Sequence, residues 1–251
     1  MKKIALITGA TSGIGLATAR RLAQVGIDLI LCGRRIDRLK ELEQELGAIV
    51  KVKTLHFDVR AEAEVTAALQ SLEGDWQNVT ILVNNAGNAH GLSSIEEGNT
   101  ADWDAMIDGN VKGLLYVSRA ILPGMVERKT GHVVNISSIA GKETYRNGAV
   151  YCASKAAVEA ISQGMRLDLT EHGVKVTNIA PGAVETEFSL VRFKGDAERA
   201  GKVYQGFEPL RPEDIADAVC YAVSAPAHVT IADMTILAGA QSQATTIFRN
   251  S

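Results

Sequence analysis

The stretch TGATSGIG, residues 8–15, follows the apolar run IALI and opens the amphipathic segment GLATARRLAQVG. A β-branched apolar run, a glycine-rich turn and a helical pattern in succession predict a strand–turn–helix unit. In parallel sheets ligands bind at the carboxyl ends of the strands, where the free N–H groups of a helix N-terminus suit a phosphate. The stretch therefore favours a nucleotide-binding α/β fold, with a tight turn that holds no ligand as the alternative.

Each glycine of this turn has an expected purpose. Gly9 can make the tight bend, Gly13 can let the backbone approach a ligand, and Gly15 can permit close packing of the helix. The spacing is G-x-x-x-G-x-G rather than the G-x-G-x-x-G of the common dinucleotide fingerprint. The glycines support nucleotide binding because of where they stand, between a strand and a helix.

Short apolar runs alternate with helical patterns along the whole chain, and Gly, Asp and Asn bound the runs. Most runs are apolar throughout, which is typical of parallel strands covered on both faces. Gly26, Gly47 and Gly173 each follow a helical pattern, at the position where a helix commonly ends. The predicted strands are IALITG, DLILCG, VKTLHFDV, VTILVNN, HVVNISS, VKVTNIAP and MTILAG.

The alternation predicts a Rossmann-type α/β fold, a doubly wound, seven-stranded parallel sheet with helices on both faces. A chain of 251 residues suits one such domain, and no linker or internal repeat divides it. We therefore expect a single domain over residues 1–251. Its cofactor half is expected at about residues 1–130, and its catalytic and substrate-binding part at about residues 131–251.

The composition excludes several classes of protein. With 22% charged residues and a net charge of −3, the chain has no basic excess for nucleic acid. No apolar run approaches the roughly 18 residues of a membrane span, and we expect the start MKKIALI to be a strand rather than a signal peptide. Three widely spaced cysteines and five scattered histidines predict neither a disulfide framework nor a metal site, and they suit a reducing cytoplasm.

The residues after the second predicted strand indicate which dinucleotide binds. In NAD sites an acidic residue about 20 positions after the glycines takes the ribose 2′-hydroxyl, whereas arginine accommodates the 2′-phosphate of NADP. Here LILCGRRIDRL places Arg34 and Arg35 at that position. Planar guanidinium groups can donate two parallel hydrogen bonds to a phosphate. The sequence favours NADP(H); the nearby Asp37 leaves NAD as the alternative.

Tyr151 and Lys155, in YCASK, are four residues apart and would share one face of a helix. That spacing alone also occurs by chance. Oxidising an alcohol requires a base, and a nearby cation would favour the phenolate of a tyrosine, whose pKa is otherwise near 10. A side chain cannot accept the hydride, so a nicotinamide must. Ser138 could hydrogen-bond the substrate oxygen as charge develops on it, or it could line a strand end, as we expect of Ser137.

Together these motifs resemble those of the short-chain dehydrogenases/reductases. TGATSGIG resembles their cofactor turn, NNAG their fourth-strand motif, GNVKG the segment that supplies Asn110, and APGAVETEF the loop over the nicotinamide. The resemblance implies that Asn110 interrupts a helix to hold a proton-relay water, although a mere helix irregularity would look the same. The catalytic residues that it implies are Asn110, Ser138, Tyr151 and Lys155. The implied NADP(H) site consists of Gly9, Thr11, Ser12, Gly13, Ile14, Gly15, Arg34, Arg35, Asp58, Val59, Asn85, Ala86, Gly87, Tyr151, Lys155, Pro181, Gly182, Val184 and Thr186.

A closer resemblance, over nearly the whole chain, is to the NADP-dependent 3-hydroxy acid dehydrogenases and the neighbouring sulfoacetaldehyde reductases. It is carried by DWDAMIDGNVKGLLYVSRAILPGMVERKTGHVVNISS, TEFSLVRFKGD and PAHVTI. Both groups act on a short carbonyl compound or alcohol that bears an anion. The resemblance therefore implies a small anionic substrate, with a sulfonated aldehyde and a 3-hydroxy acid equally compatible, and a homotetramer joined through the two long helices.

Polar residues around these motifs are candidates for binding that substrate. Lys142 and Arg146 precede the catalytic helix, although a solvated loop charge explains Arg146 equally well. The C-terminal tail could bring Phe248 and Arg249 to the site of a neighbouring subunit, as tails do in this family. The expected substrate residues are Asn88, His90, Ser138, Arg146, Tyr151, Arg192 and Phe248.

Two other functions are compatible with the same fold. A reductase of bulky substrates, such as 3-ketoacyl thioesters or steroids, would need a wide apolar site, and the basic residues near Tyr151 argue against it. A non-catalytic NADP-binding sensor would not need the four catalytic residues, which are all present, although the fold alone does not exclude it.

Overall fold

Seven parallel strands form one sheet in the computed structural model, which describes residues 2–250; Met1 and Ser251 lie outside the described part. The strands are β1 (Ile4–Thr8), β2 (Asp28–Gly33), β3 (Val52–His56), β4 (Ile81–Asn84), β5 (Gly131–Ile136), β6 (Val174–Pro181) and β7 (Asp233–Ile236). Their order across the sheet is β3–β2–β1–β4–β5–β6–β7, so the winding reverses between β1 and β4. The predicted doubly wound fold is confirmed.

Helices cover both faces of this sheet. They are α1 (Gly13–Gln24), α2 (Ile36–Gly47), α3 (Glu62–Gln70), α4 (Thr100–Ile107), α5 (Gly113–Glu127), α6 (Ala149–Leu169), α7 (Phe188–Arg192), α8 (Ala197–Lys202) and α9 (Pro212–Ser224). A π-helical turn (Asp108–Lys112) joins α4 to α5. Within residues 2–250, no helix combines the length and the apolar character needed to cross a membrane.

The sheet separates two apolar cores. Successive residues of a strand point to opposite faces, and in β1 Ala5 and Ile7 enter one core whereas Ile4 and Leu6 enter the other. Helices α1, α2 and α9 close the first core, and α3, α5 and α6 close the second. This double burial explains why the strands are apolar throughout.

Three local features differ from or refine the expectation. Gly26 and Gly173 have the left-handed backbone expected after a helix, with φ of 79° and 69°. The prediction for Gly47 is wrong, because this residue is the last of α2 and the helix is capped by Ala48 in a right-handed conformation, with φ of −72°. The short helices α7 and α8 were not predicted, since neither carries a long enough hydrophobic repeat.

Buried amide side chains fix α6 to the sheet. Asn84 and Asn135 are partners in register, and Nδ2 of Asn84 donates to Oδ1 of Asn135 at 2.9 Å. Nδ2 of Asn135 in turn donates to Oγ of Ser162, on α6, at 2.9 Å. Because α6 also carries Tyr151 and Lys155, this ladder holds both residues at the carboxyl edge of the sheet.

Candidate active site

A cleft of about 730 Å³ lies at the carboxyl edge of the sheet, among the segments that follow β1, β2, β4, β5 and β6. We name its two ends by their residues. At the arginine end, Arg34, Arg35 and Arg60 line the cleft, and Arg38 lies beside them, in contact with the lining residue Glu187. The tyrosine end contains Ser138, Tyr145, Tyr151, Lys155 and Arg192. The expected cofactor residues that line the cleft are Gly9, Thr11, Ser12, Gly13, Ile14, Arg34, Arg35, Asp58, Val59, Asn85, Ala86, Gly87, Tyr151, Lys155, Pro181, Gly182, Val184 and Thr186.

The glycine turn forms the floor of the cleft. Gly9 and Gly13 have left-handed backbones, with φ of 65° and 50°. Gly15 lies behind the wall, where an added Cβ would collide with the carbonyl oxygen of Gly9. Oγ1 of Thr8 accepts from the backbone N–H groups of Asn85 and Ala86, at 3.1 and 3.0 Å, and so joins the ends of β1 and β4.

Four arginines gather at the arginine end. Arg35 donates from Nε to Oγ1 of Thr11 at 3.1 Å and from Nη2 to Oγ of Ser12 at 2.6 Å. Arg34 and Arg60 share the carboxylate of Asp58, at 3.5 and 2.6 Å. Partial burial raises the pKa of Asp58, but the hydrogen bonds and charge of Arg60 together with the charge of Arg34 lower it by more, so the pKa lies below its ordinary value.

Two residues of this end escaped the sequence reasoning. Nη1 of Arg38 lies 2.8 Å from Oε1 of Glu187, whose Oε2 accepts from Arg35 at 2.8 Å. Arg38 stands four residues after Arg34 in GRRIDRL, and this helical spacing could have indicated it. Nothing local indicates that Glu187, about 150 residues away in the chain, is their partner.

The tyrosine end holds the expected catalytic residues close together. Ser138, Tyr151 and Lys155 all line the cleft, and Tyr151 and Lys155 are only 7% and 6% exposed. Nζ of Lys155 donates to the carbonyl oxygen of Ile136 at 3.0 Å. The hydroxyl of Ser137 donates to the carbonyl oxygen of Lys155 at 3.2 Å, which is a structural bond.

Burial shifts the pKa values of Lys155 and Tyr151, both on α6, in opposite ways relative to their ordinary values. It lowers the pKa of Lys155 to about 8 and raises the pKa of Tyr151, an effect that Tyr145 increases. A hydrogen bond from Ser138 and the charge of Arg192 lower the pKa of Tyr151 in turn. Arg192 is thus a further cation that favours the phenolate, and the same effect of Lys155 stays a prediction.

Asn110 stands in the π-helical turn behind the cleft wall. Its Oδ1 accepts from the backbone N–H of Asn88 at 2.8 Å, and its Nδ2 donates to the carbonyl oxygen of Asn88 at 2.9 Å. The same Nδ2 reaches Oγ of Ser154, on α6, at 2.9 Å. The side chain is 2% exposed, and it joins the loop after β4 to the helix of the tyrosine end.

Arg192, the last residue of α7, covers the tyrosine end. Its Nη2 donates to the hydroxyl of Tyr145 at 3.0 Å, and its guanidinium carbon lies 5.6 Å from the ring centres of both Tyr145 and Tyr151. Nε donates to the carbonyl oxygen of Gly91 at 3.3 Å. A cation is therefore held directly beside the phenol.

The other expected substrate residues divide into two groups. Asn88 and Arg146 line the cleft; His90 does not, and Phe248 is 76% exposed on the outside. Lys142, considered as an anion ligand, is instead paired with Asp233 and Glu159, at 2.7 and 3.3 Å.

The C-terminal tail lies against its own chain. Ala244, Thr245, Ile247 and Arg249 line the same cleft, and Nη2 of Arg249 donates to the carbonyl oxygen of Val203 at 3.1 Å. From the sequence, this tail is expected only as a contact to a neighbouring subunit. Among the described residues, no cluster of three or more His, Cys, Asp or Glu side chains could hold a metal ion.

Comparison with known proteins agrees with this architecture. The family model described as short chain dehydrogenase matches residues 3–196. The NADP-dependent 3-hydroxy acid dehydrogenase YdfG of Escherichia coli (strain K12) is 48% identical over 242 residues, which cover 96% of this chain and 97% of that protein. Sulfoacetaldehyde reductase 2 of Chromohalobacter salexigens is 44% identical over 238 residues, covering 94% of each.

Solved structures give the same result. The closed form of serine dehydrogenase complexed with NADP+ is 46% identical to this chain, with a TM-score of 0.92 over 99% of this chain and 100% of that one. A serine dehydrogenase from Escherichia coli, 41% identical, has a TM-score of 0.82 over 95% of this chain and 99% of that one.

Proposed function

The chain belongs to the short-chain dehydrogenase family, and we propose that it interconverts a small anionic aldehyde or ketone and the corresponding alcohol with NADP(H). The substrate pair is of the type sulfoacetaldehyde and isethionate, or a 3-hydroxy acid, such as serine or 3-hydroxypropionate, and its semialdehyde. Family membership makes the chain an oxidoreductase that acts on alcohol groups; the substrate class and the residue roles are our proposal.

The cleft fits a dinucleotide at both ends. The left-handed Gly9 and Gly13 leave the floor free of side chains beside the N-terminus of α1, where a pyrophosphate is favoured. Arg34 and Arg35 stand where guanidinium groups suit a 2′-phosphate. Relatives that are NADP-dependent or contain NADP+ support the same cofactor. When bound, its nicotinamide supplies or accepts the hydride that no side chain can carry.

We assign the proton transfer at the substrate oxygen to Tyr151. Because burial raises its pKa, the phenol is protonated at neutral pH and can donate to a carbonyl that is being reduced. In the oxidation direction the phenol must lose that proton, and the charge of Arg192 and the hydrogen bond from Ser138 both favour the loss. Ser138 would also donate to the substrate oxygen as negative charge develops on it.

Lys155 and Asn110 complete the assignment. With a pKa of about 8, Lys155 is mainly a cation at neutral pH, and it stands one helical turn from Tyr151, where it would bind the nicotinamide ribose and favour the phenolate. Asn110 ties the loop after β4 to α6 through Asn88 and Ser154. It would keep a proton-relay water in reach of Lys155.

The position of Arg192 is the observation that best supports an anionic substrate. A guanidinium held 5.6 Å from the ring centre of Tyr151 can pair with a carboxylate or sulfonate while the carbonyl of a short molecule reaches the phenol. Arg146, on the same wall, is a second cation for that anion. A bulky neutral substrate would gain nothing from either charge.

The test compares aldehydes that differ in charge. We expect kcat/KM for NADPH-dependent reduction of malonic semialdehyde or sulfoacetaldehyde to exceed that of neutral propanal, because only the anions pair with Arg192. The variant Arg192→Gln should lower kcat/KM for the anionic aldehydes by about ten- to a hundredfold and change propanal little. Arg20→Gln removes the same charge from a 48% exposed side chain on α1, away from the cleft and from α5 and α6, and serves as the control.

Equal use of propanal and the anionic aldehydes by the wild-type chain would contradict the proposal. The ratio of kcat/KM for malonic semialdehyde and sulfoacetaldehyde, with NADP reduction by serine measured alongside, distinguishes a carboxylate from a sulfonate substrate.

We also propose that the chain forms a homotetramer through α5 and α6. Leu115 on α5 and Leu167 on α6 are 41% and 84% exposed, which supports an apolar surface that another copy would cover. Light scattering should give about four times 26.7 kDa; a monomer would contradict the proposal. The cytoplasmic location stays a prediction.

A further inference from the structure

The carboxylate of Glu187 lies between two arginines at the arginine end. Oε2 accepts from Nη1 of Arg35 and Oε1 accepts from Nη1 of Arg38, both at 2.8 Å. Arg35 is itself held by the hydroxyl groups of Thr11 and Ser12, at 3.1 and 2.6 Å. Two guanidinium groups therefore converge on one anion beside the glycine turn.

This arrangement resembles the way in which guanidinium groups hold a phosphate, with separate oxygens of one anion on separate donors. Hydrogen bonds from Arg35 and Arg38 lower the pKa of Glu187, so its carboxylate is ionised at neutral pH. Because like charges at such short distances repel each other, the carboxylate and a phosphate disfavour each other on the same donors. Glu187 thus occupies donors that the 2′-phosphate of the proposed cofactor would use.

Asp58, the other acid at this end, is held differently. Its Oδ1 accepts from the backbone N–H of Arg60 at 3.0 Å, and Oδ2 pairs with the guanidinium of Arg60 at 2.6 Å. Its side chain is 21% exposed, compared with 44% for Glu187. Asp58 belongs to the fixed wall, whereas the hydrogen bonds of the Glu187 carboxylate within residues 2–250 go to the two arginines.

Glu187 is also joined to the tyrosine end. It directly precedes α7, and Arg192 at the other end of this helix lies over Tyr151. Thr186, next to Glu187, lies close to the glycine turn, because a Cβ on Gly13 would be 3.2 Å from its Cγ2. One short segment thus connects the two ends of the cleft.

We propose that Glu187 is an internal competitor of the 2′-phosphate and so limits the preference for NADP(H) over NAD(H). When the 2′-phosphate binds Arg35 and Arg38, Glu187 gives up both guanidinium groups, and the segment before α7 is released. NAD(H), which carries a hydroxyl group there, leaves Glu187 in place. The inference rests on the proposed cofactor.

The test measures Kd for NADPH, NADH, 2′,5′-ADP and 5′-AMP with the full chain. Glu187→Gln should lower Kd for the two ligands that carry a 2′-phosphate, NADPH and 2′,5′-ADP, by about two- to fivefold, the range of an exposed ion pair, and leave Kd for NADH and 5′-AMP nearly unchanged. Glu185→Gln is the matched control, because it removes the same charge from an exposed side chain two residues earlier. Glu185→Gln should change Kd for all four ligands by the same factor, and this factor should be smaller than the effect of Glu187→Gln on NADPH.

Weaker binding of NADPH by Glu187→Gln would overturn the proposal and identify Glu187 as a group that holds the bound cofactor. An equal change of Kd for all four ligands would also overturn it. Should this variant not fold in a thermal scan, Glu187→Asp, whose shorter side chain does not span both arginines, should shift Kd in the same direction. A wild-type chain that binds NADPH no better than NADH would contradict the proposed cofactor instead, whatever the variants do.

Discussion

The two ends of the cleft hold their functional groups by different means. At the tyrosine end, Lys155 is 6% exposed and bonds a backbone carbonyl, and Asn110 is 2% exposed and bonds the backbone of Asn88. At the arginine end, Arg35 and Glu187 are 41% and 44% exposed and pair with each other. If these residues have the roles proposed above, groups that act near the reacting atoms are fixed before a ligand arrives, whereas groups that recognise an anion have partners that an anion can replace.

The largest effect on activity is expected when the proposed proton donor of the tyrosine end, Tyr151, is removed. Tyr151→Phe should lower kcat by about 10²–10⁴-fold, the range for general acid–base catalysis, while Kd for NADPH stays within about twofold because the hydroxyl adds little to nucleotide binding. Tyr145→Phe, which removes a hydroxyl from the same end, should cost about tenfold at most. Steady-state kinetics and a fluorescence titration measure both. Turnover by Tyr151→Phe close to wild type would move the proton to another group.

Removing charge from the arginine end should affect binding alone. With Arg34→Ala and Arg35→Ala combined, Kd for NADPH should rise by about ten- to a hundredfold, since charge-assisted hydrogen bonds to the 2′-phosphate are lost. Kd for NADH and kcat should change little. Titrations with both cofactors provide the measurement, and equal losses for NADPH and NADH would refute the 2′-phosphate assignment.

The pH dependence of kcat/KM tests the ionisable groups of the tyrosine end. Burial lowers the pKa of Lys155 to about 8, so its positive charge is lost as the pH rises through that value, while the raised pKa of Tyr151 keeps the phenol protonated. We expect kcat/KM for aldehyde reduction to fall about tenfold per pH unit above that point. The profile should be measured from acid to alkaline pH beside Lys155→Arg, whose charge persists. A flat alkaline limb in the wild type would exclude Lys155 as the required cation.

The smallest expected effect is that of salt, which should change cofactor binding at the arginine end but not catalysis at the tyrosine end. Exposed charges are screened by added salt and buried groups are not, so KM for NADPH should rise by about three- to fivefold between roughly 50 and 500 mM KCl while kcat changes little. A parallel series with NADH is the control, because it lacks the 2′-phosphate. A salt-dependent kcat would show that the tyrosine end is less isolated from solvent than its burial indicates.

The sequence predicted what depends on local pattern. Continuous apolar runs predicted the strands, since a sheet covered on both faces buries every side chain, and β6 coincides with the predicted VKVTNIAP. The resemblance of the chain's motifs to those of the short-chain dehydrogenases/reductases implied that Gly9, Ser138 and Tyr151 serve one site, and all three line the same cleft. The partnership of Arg38 with Glu187 could not be predicted, because no periodicity connects residues so far apart in the chain.

The position of Arg192 over the tyrosine end could not be predicted from the sequence either. The sequence indicated Arg192 as a substrate residue, but its place over two tyrosine rings depends on α7, a five-residue helix too short to show a repeat. His90 follows a cofactor motif in the sequence and yet stands outside the cleft, because proximity in the chain does not determine which way a loop residue points.

The π-helical turn between α4 and α5 has a consequence for the register of the whole segment. Each residue of an α-helix rotates the chain by about 100°, and a π turn carries a surplus residue relative to the helices that it joins. The angular phase of α5, which turns Leu114, Val117 and Ile121 toward the core, is therefore set by that surplus. Deleting one residue from Asp108–Lys112 would remove the surplus residue, move Asn110 away from Asn88 and rotate the apolar face of α5 by about 100° away from the sheet. The position of Asn110 and the orientation of the apolar face of α5 therefore depend on the same residue count, and a change in that count alters both.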